Sequence, residues 1–300
     1  MTSFAVGVAT CGRPESLRAC LAGLAEQRLA PAEVIVVDQA PSDGARTAVA
    51  RSGLAAARYV EQERLGLSAS RNLALRESGS SVLAVTDDDC VPDPGWLAGL
   101  AGAFARLPRP DAVTGPVLPL GEPPLGAFAI SLRVSAEPVD HRGRRQPWGV
   151  GSGGNFSAPV DLLRRLGGWD ERLGTGSGGM AAEDADLLYR LLLEGALVRY
   201  EPAAVVRHAW QTRERRLATR WSYGYGVGAM SGLTLARRDL YALRMLAGYG
   251  RPHVRGLAAA LLRARREAVG EHGRALASLA PGLLYGLRAS SKPAGEPDRG

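Results

Sequence analysis

Val82-Leu83-Ala84-Val85-Thr86-Asp87-Asp88-Asp89 runs four apolar side chains straight into a threonine and three acids. An unbroken apolar run without alternation predicts a strand covered on both faces, as in a parallel sheet. The same pattern stands upstream. Phe4 to Thr10 is apolar and ends at a Gly-Arg-Pro turn, and Val34-Ile35-Val36-Val37 ends at Asp38. Tyr59-Val60 is a weaker strand. Helical patterns fill the gaps. Pro14 opens one with Leu17, Leu21 and Leu24 on one face. Ser68 to Arg76 is another, with Ser68 as its cap. Pro94 to Ala105 is a third, followed by a strand over Ala112 to Val117. Strand and helix in alternation predict an α/β fold whose mostly parallel sheet is flanked by helices.

The pattern changes downstream. Pro119 to Pro147 is rich in Pro, Gly and Arg, and reads as a long connection with one short helix at Phe128 to Val134. Leu162 to Leu166 is a short helix closed by Gly167-Gly168. Thr175 to Gly179 reads as a mobile loop. Glu183 to Glu194 is a helix burying Leu187, Leu188, Leu191 and Leu192, and Ala203 to Val206 is the last strand, closed by His208. Beyond Arg213 the pattern is helical, with glycine-rich breaks expected at Gly224 to Gly228 and Gly248 to Pro252. From Ser290 the composition predicts a disordered tail. These shifts divide the chain into 1–118, 119–210, a basic helical region 211–289 and a tail 290–300, the first two being halves of one domain.

Composition narrows the class. The 300 residues are 46% hydrophobic, enough for a sizeable core. Cys11, Cys20 and Cys90 are the only cysteines and show no paired spacing, which excludes a disulfide scaffold and a cysteine-based zinc site and suits a reducing, cytoplasmic compartment. No signal peptide is visible, and no run reaches the ~20 apolar residues of a spanning helix. The net charge of +7 is uneven. From Arg207 onward stand 17 basic and 6 acidic side chains, and Lys292 is the only lysine in the chain.

In parallel sheets, ligands gather beyond the carboxyl ends of the strands. Thr10-Cys11, Asp38 and Asp87-Asp88-Asp89 all fall there. Three successive acids repel one another, and a hard divalent cation such as magnesium or manganese relieves the repulsion. The alternative is an acidic turn that caps the next helix, although Asp93 is also placed for that. Asp38 is either a turn former or an acceptor for a bound ring N–H or ribose hydroxyl. Arg71 is a phosphate contact or a solvated arginine. Glu183-Asp184 with Asp186 at a helix start satisfy the helix dipole, or one of them is a general base. His208, at a strand end, is structural or a metal ligand.

In order along the chain, these segments resemble the family 2 glycosyltransferases. The segments are Val8-Ala-Thr-Cys-Gly-Arg-Pro14, Val34-Ile-Val-Val-Asp38 with Ser42-Asp43, Gly66-Leu-Ser-Ala-Ser-Arg-Asn72 and Thr86-Asp-Asp-Asp89. They continue with Gly153-Gly-Asn-Phe156, Gly167-Gly-Trp-Asp-Glu171, Glu183-Asp184 with Asp186, and Tyr200-Glu-Pro202 leading to His208. The resemblance covers about Phe4 to His208. Each segment is weak alone; their joint order and spacing are specific.

The resemblance implies a glycosyltransferase-A, Rossmann-like fold with a helical C-terminal extension. It implies an inverting, metal-dependent transfer of a hexose from a nucleoside-diphosphate sugar, a UDP-sugar first, to an acceptor hydroxyl. The nucleotide-sugar-binding set it implies is Thr10, Cys11, Asp38, Arg71, Asp87 and Asp88. Thr10 and Asp38 would hold base and ribose, Arg71 would stand near the base or phosphates, and Asp88 near the ribose. Asp89 and His208 would ligate Mg2+ or Mn2+, and Asp184 would be the base with Glu183 beside it. Two departures bear on nucleotide identity: Cys11 stands where an aromatic residue is common, and Gln39-Ala-Pro41 replaces the usual Asn-Gly-Ser.

Two rival functions follow from the same residues. A sugar-phosphate nucleotidyltransferase needs a longer, lysine-bearing phosphate loop than Gly12-Arg13-Pro14. A non-catalytic nucleotide-sugar-binding scaffold fits poorly with intact Asp89 and Asp184. The basic region 211–289 is expected either to touch an anionic membrane at the inner face, where a lipid-linked acceptor resides, or to be helices packed on the catalytic domain. The acceptor, whether glycan, lipid-linked or a small molecule, has no motif. No nucleic-acid partner is expected, because no helix-turn-helix or RNP-like pattern occurs.

Overall fold

A computed structural model describes residues 2–130 and 135–291 of the chain. The expected tail therefore lies almost wholly outside the described residues. So do the last four residues of the helix expected at Phe128 to Val134, and residues 128–130 are not helical.

The chain divides into two compact units. The first holds residues 1–65, 69–169 and 187–210. It begins with β1 (Phe4–Thr10), α1 (Pro14–Ala25), β2 (Glu33–Asp38), α2 (Asp43–Ala50), β3 (Ala57–Glu61), α3 (Leu67–Glu77) and β4 (Val82–Asp87). There follow β5 (Cys90–Pro92), α4 (Trp96–Ala105), β6 (Ala112–Thr114), β7 (Val117–Pro119), β8 (Val139–His141), β9 (Phe156–Pro159) and α5 (Val160–Arg165). Next come α6 (Glu183–Leu193), whose first turn belongs to the second unit, β10 (Val198–Tyr200) and β11 (Val206–His208).

Eight strands form one sheet in the order β3-β2-β1-β4-β9-β6-β10-β8. β3, β2, β1 and β4 are parallel to one another, which accounts for their continuous apolar sequence. Successive side chains of a strand point to opposite faces. Phe4, Val6, Val8, Val34 and Val36 accordingly share one core with Leu17, Leu21, Trp96 and Leu100. Ala5, Ile35, Val37, Leu83 and Val85 share another with Leu75, Leu163, Leu187 and Leu191. A second sheet, β5-β11-β7, has only three short strands.

Several expectations are corrected here. Ala112 to Val117 is two strands in two sheets, because the chain leaves the large sheet after Thr114. The last strand starts at Val206 rather than Ala203, because Ala204 N–H closes a turn on the Glu201 carbonyl. Ser68 is not a cap: it lies inside α3 and donates to the Leu173 carbonyl at 2.7 Å.

The second unit holds residues 66–68, 170–186 and 211 onward. Its helices are α7 (Arg213–Ala236), α8 (Tyr241–Leu262), α9 (Arg266–Ala277) and α10 (Leu279–Ala289). The expected glycine-rich breaks are absent: α7 runs through Gly224 to Gly228, and α8 through Gly248 to Pro252. The glycines serve packing. A Cβ at Gly228 or Gly232 would strike the Leu279 or Leu283 carbonyl of α10, and one at Gly286 would strike the Ala229 carbonyl of α7. Close contact along the two helices outweighs the ~1 kcal/mol each glycine costs in a helix. No helix among the described residues is long and apolar enough to cross a membrane.

Candidate active site

β1, β2 and β4 are neighbours in register, so their carboxyl ends form one polar edge. Thr10 pairs with Asp38, and Ala9 with Asp87. Thr10 is buried, and its hydroxyl donates to Asp88 Oδ2 at 2.7 Å. Asp38 is fully buried and uses both oxygens internally. Oδ1 accepts from Ala40 N–H at 3.0 Å, which makes the turn, and Oδ2 accepts from the Tyr59 hydroxyl at 2.8 Å. Burial and the Asp38 carboxylate together push the Tyr59 phenol up to about 12, keeping it a donor. Cys11 is a free thiol of intermediate exposure at the end of β1.

The three acids take three different partners. Asp87 Oδ1 receives Arg71 Nη2 at 2.9 Å, and that arginine is buried rather than solvated. Asp88 is fully buried. Burial raises its carboxyl to about 6 against the pull of Arg13 and Thr10, with Asp89 and Asp87 adding to the rise. Asp88 Oδ1 makes no hydrogen bond and faces Arg13 Nη2 at 2.5 Å. Asp89 Oδ2 receives Arg13 Nη1 at 2.7 Å, and Asp89 Oδ1 stands 3.2 Å from His208 Nε2.

His208 reaches Asp89 through the small sheet. β11 pairs antiparallel with β5, setting His208 opposite Cys90, and Ala209 N–H donates to the Asp89 carbonyl. His208 Nδ1 donates to the Ala209 carbonyl at 2.7 Å, since a carbonyl can only accept. That leaves Nε2 facing the Asp89 carboxylate oxygen, where either a proton on Nε2 or a cation held between the two joins them. Ligand atoms of Asp89, Cys90 and His208 lie within 4.8 Å of one another. Burial, together with Asp87 and Asp89, holds the Cys90 thiol well above its usual range and so keeps it protonated. The carboxylate and imidazole of this cluster are a donor pair that suits a divalent ion such as Mn2+.

Sequence reasoning missed Arg13 and Cys90. Arg13 had a signal, a cation in the turn after the first strand, at the edge where three acids were expected. Cys90 had none, because its nearness to His208 depends on the pairing of two three-residue strands.

Two motifs prove to be scaffolding. Asn155 Nδ2 donates to the Pro116 and Ala204 carbonyls at 2.9 and 2.7 Å, and its Oδ1 accepts from Trp96 Nε1 at 2.9 Å. It ties three segments behind the acids, and Gly154 lets Asp87 Oδ2 lie against the backbone. Asn72 pairs with both backbone polar groups of Trp169 at 2.8 Å, which the left-handed Gly168 makes accessible.

Glu183, Asp184 and Asp186 occupy the first turn of α6, in the second unit, where the helix dipole favours acids. Asp184 Oδ1 accepts from Ala185 N–H at 2.7 Å, and Glu183 is buried against Gly174. Met180 and Ala182, just before the helix, both have positive φ (64° and 71°), a conformation that costs a non-glycine residue about 1 kcal/mol or more. Strain of this kind concentrates at functional sites. The expected mobile loop is tied in this unit: Leu67 N–H donates to the Thr175 carbonyl and Gly179 N–H to the Arg172 carbonyl, both at 2.9 Å. Arg172 itself pairs with Asp170 at 2.6 Å and donates to the C-terminal Ala289 carbonyl of α10.

A mixed sheet led by four parallel strands, with polar groups at their carboxyl ends and a helical region after it, defines a glycosyltransferase-A fold. The sequence profile of Glycosyl transferase family 2 matches residues 5–158, and that of Glycosyl transferase family group 2 matches residues 82–287. The chain belongs to the family 2 glycosyltransferases. A pre-mycofactocin glycosyltransferase of Mycobacterium tuberculosis is 30% identical over 188 residues, 61% of this chain, and the match spans only 38% of that relative's length. Among solved structures, the mannosyltransferase PcManGT of Pyrobaculum calidifontis, in complex with GDP-Man and Mn2+, superposes with TM-score 0.58 at 20% identity, over 96% of this chain and 87% of that one. S. aureus TarS 1–349 superposes with TM-score 0.63 at 14% identity, over 97% and 92%. At these identities the two structures establish the fold alone.

Proposed function

We propose that this enzyme moves a hexose from a nucleoside-diphosphate sugar, a UDP-sugar by preference, to an acceptor hydroxyl by a single inverting displacement. The observation that carries the reading is His208 Nε2 set 3.2 Å from Asp89 Oδ1 beside the buried Asp88, at the carboxyl edge of the parallel strands. Asp89 and His208 are the residues for a divalent cation, Mn2+ or Mg2+. Bound there, its chemistry is neutralisation of the departing diphosphate. Asp184 removes the acceptor proton, and Glu183 keeps the surrounding field negative. Thr10, Cys11, Asp38, Arg71, Asp87 and Asp88 hold the nucleotide. The fold relatives solved with GDP-Man and Mn2+, and with UDP, support a nucleotide and a cation as ligands.

A thermal-shift screen against UDP, GDP, dTDP and CDP, with Mn2+ or with a chelator, tests the reading. UDP with Mn2+ is expected to stabilise the protein, by about 2.7 kcal/mol at a hundredfold excess over Kd. The chelator should erase the shift. Absence of a cation-dependent shift with every nucleotide overturns the donor site.

We further propose that the helical region meets an anionic membrane surface bearing the acceptor. α8 exposes Leu243, Val254, Leu261 and Leu262 together with Arg244, Arg251 and Arg255. Aliphatic side chains with arginines among them suit an interface of acyl chains and anionic headgroups, at about 1 kcal/mol for each arginine near the surface. Co-sedimentation with phosphatidylglycerol-containing vesicles is expected, with none on pure phosphatidylcholine. Equal recovery with both sinks the electrostatic part of this reading.

A further inference from the structure

Arg13 is the exposed partner in an otherwise buried cluster. Its side chain is 37% exposed, against 0% for Asp88 and 6% for Asp89. Its backbone is tied to the first turn of α1, where the Arg13 carbonyl accepts from Leu17 N–H at 3.0 Å. Gly12 before it is left-handed (φ 63°), and Pro14 after it opens α1. The long flexible stem is therefore what can move. Asp87 has its own cation in the buried Arg71. Asp88 and Asp89 share the guanidinium of Arg13, at 2.5 and 2.7 Å. Asp89 Oδ2 thus accepts from Arg13, and its Oδ1 stands 3.2 Å from His208 Nε2.

A divalent ion on Asp89 would stand within a few ångströms of this guanidinium. Like charges that close, in a partly buried site, repel strongly. The ion must therefore displace the arginine or bind weakly beside it. A diphosphate changes the balance, because it brings negative charge that matches the planar fork of a released guanidinium.

We propose that Arg13 is a resident counter-cation that competes with the divalent ion for Asp89 and passes to the donor's diphosphate when the ion arrives. Ion and diphosphate then bind as a coupled pair, and neither binds tightly alone. Arg13 is a donor-binding residue in this scheme. The proposal rests on the reading that Asp89 holds the cation.

Free Mn2+ measured by its electron paramagnetic resonance, with and without UDP, tests this on the wild-type chain, Arg13→Ala, Arg13→Gln and Asp89→Asn. Removing the arginine is expected to tighten Mn2+ binding in the absence of nucleotide by about tenfold, the scale of one charge-assisted bond to a half-exposed arginine. The tightening of Mn2+ binding by UDP should shrink by a similar factor, because the competing guanidinium that UDP draws off Asp89 is gone, and by linkage the tightening of UDP binding by Mn2+ shrinks equally. A residue that merely supports the fold would shift Mn2+ affinity the other way. Arg13→Gln keeps the polar stem and carries the test if the alanine variant is unstable. Mn2+ affinity unchanged or weakened in both Arg13 variants, with binding lost in Asp89→Asn, overturns the role of Arg13 alone. Unchanged Mn2+ binding in Asp89→Asn removes the cation site, and the proposal with it.

Discussion

Asp184→Asn is expected to lower sugar transfer by 10²–10⁴-fold, the usual contribution of a general base, while UDP and Mn2+ bind as in the wild type. The substitution is nearly isosteric. The amide oxygen still accepts the Ala185 N–H bond that Asp184 Oδ1 accepts at 2.7 Å, so the first turn of α6 keeps its geometry. What is lost is the lone pair that takes a proton. The local fold marks this acid out from its neighbours. Glu183 is buried against Gly174, and Asp186 is buried too, whereas Asp184 is only partly covered. Met180 and Ala182 pay a conformational cost just upstream, and that cost is easiest to account for if the first turn of α6 must be held in one orientation. Glu183→Gln should therefore lower turnover less than Asp184→Asn. The measurement is release of nucleoside diphosphate with any acceptor that supports wild-type turnover. Transfer at a near-normal rate by Asp184→Asn would take the base role from it.

The parallel half of the sheet was legible because burial on both faces leaves an unbroken apolar signature. Val34 to Val37 and Val82 to Val85 could hardly be anything else, and their ends pointed to Asp38 and Asp87. Three-residue strands carry no such signature. β5, β7 and β11 were invisible or misplaced, and with them the pairing that sets His208 opposite Cys90. The glycines of α7 misled for a related reason. A glycine that ends a helix and a glycine that admits a neighbouring helix look alike in sequence, and only the α10 carbonyls against Gly228 and Gly232 distinguish them. Arg13 reads in sequence only as part of a turn, because charge pairing between a turn and a distant strand end is set by the sheet rather than by local pattern. Asn155 and Asn72 stood inside recognised motifs. Their work is to bond backbone groups of other segments, which no spacing rule reveals.

Asp89→Asn is expected to abolish the Mn2+-dependent thermal shift given by UDP while leaving the metal-free protein at least as stable as the wild type. The two halves have one cause. In the metal-free protein, Asp89 adds a third negative charge to a turn that already holds Asp87 and Asp88, and it shares the one guanidinium of Arg13 with Asp88. A side-chain amide removes the third charge and keeps both a donor and an acceptor to offer His208 Nε2. Arg13 keeps Asp88 as its partner at 2.5 Å, so the buried carboxylate is not left alone. A cation loses its anionic ligand outright. Removing an outer-sphere partner of a metal site typically costs 10–100-fold in affinity, so loss of a direct carboxylate should exceed a hundredfold. A stabilisation of about 2.7 kcal/mol at a hundredfold excess over the wild-type Kd then falls below about 0.5 kcal/mol. His208→Ala should weaken the shift without erasing it, since the carboxylate remains. Paired melts of the three proteins, with chelator and with Mn2+ plus UDP, check both halves. A variant that melts early in chelator would show Asp89 to be a structural partner of Arg13 and His208, and one that keeps the full Mn2+-dependent shift would place the cation elsewhere.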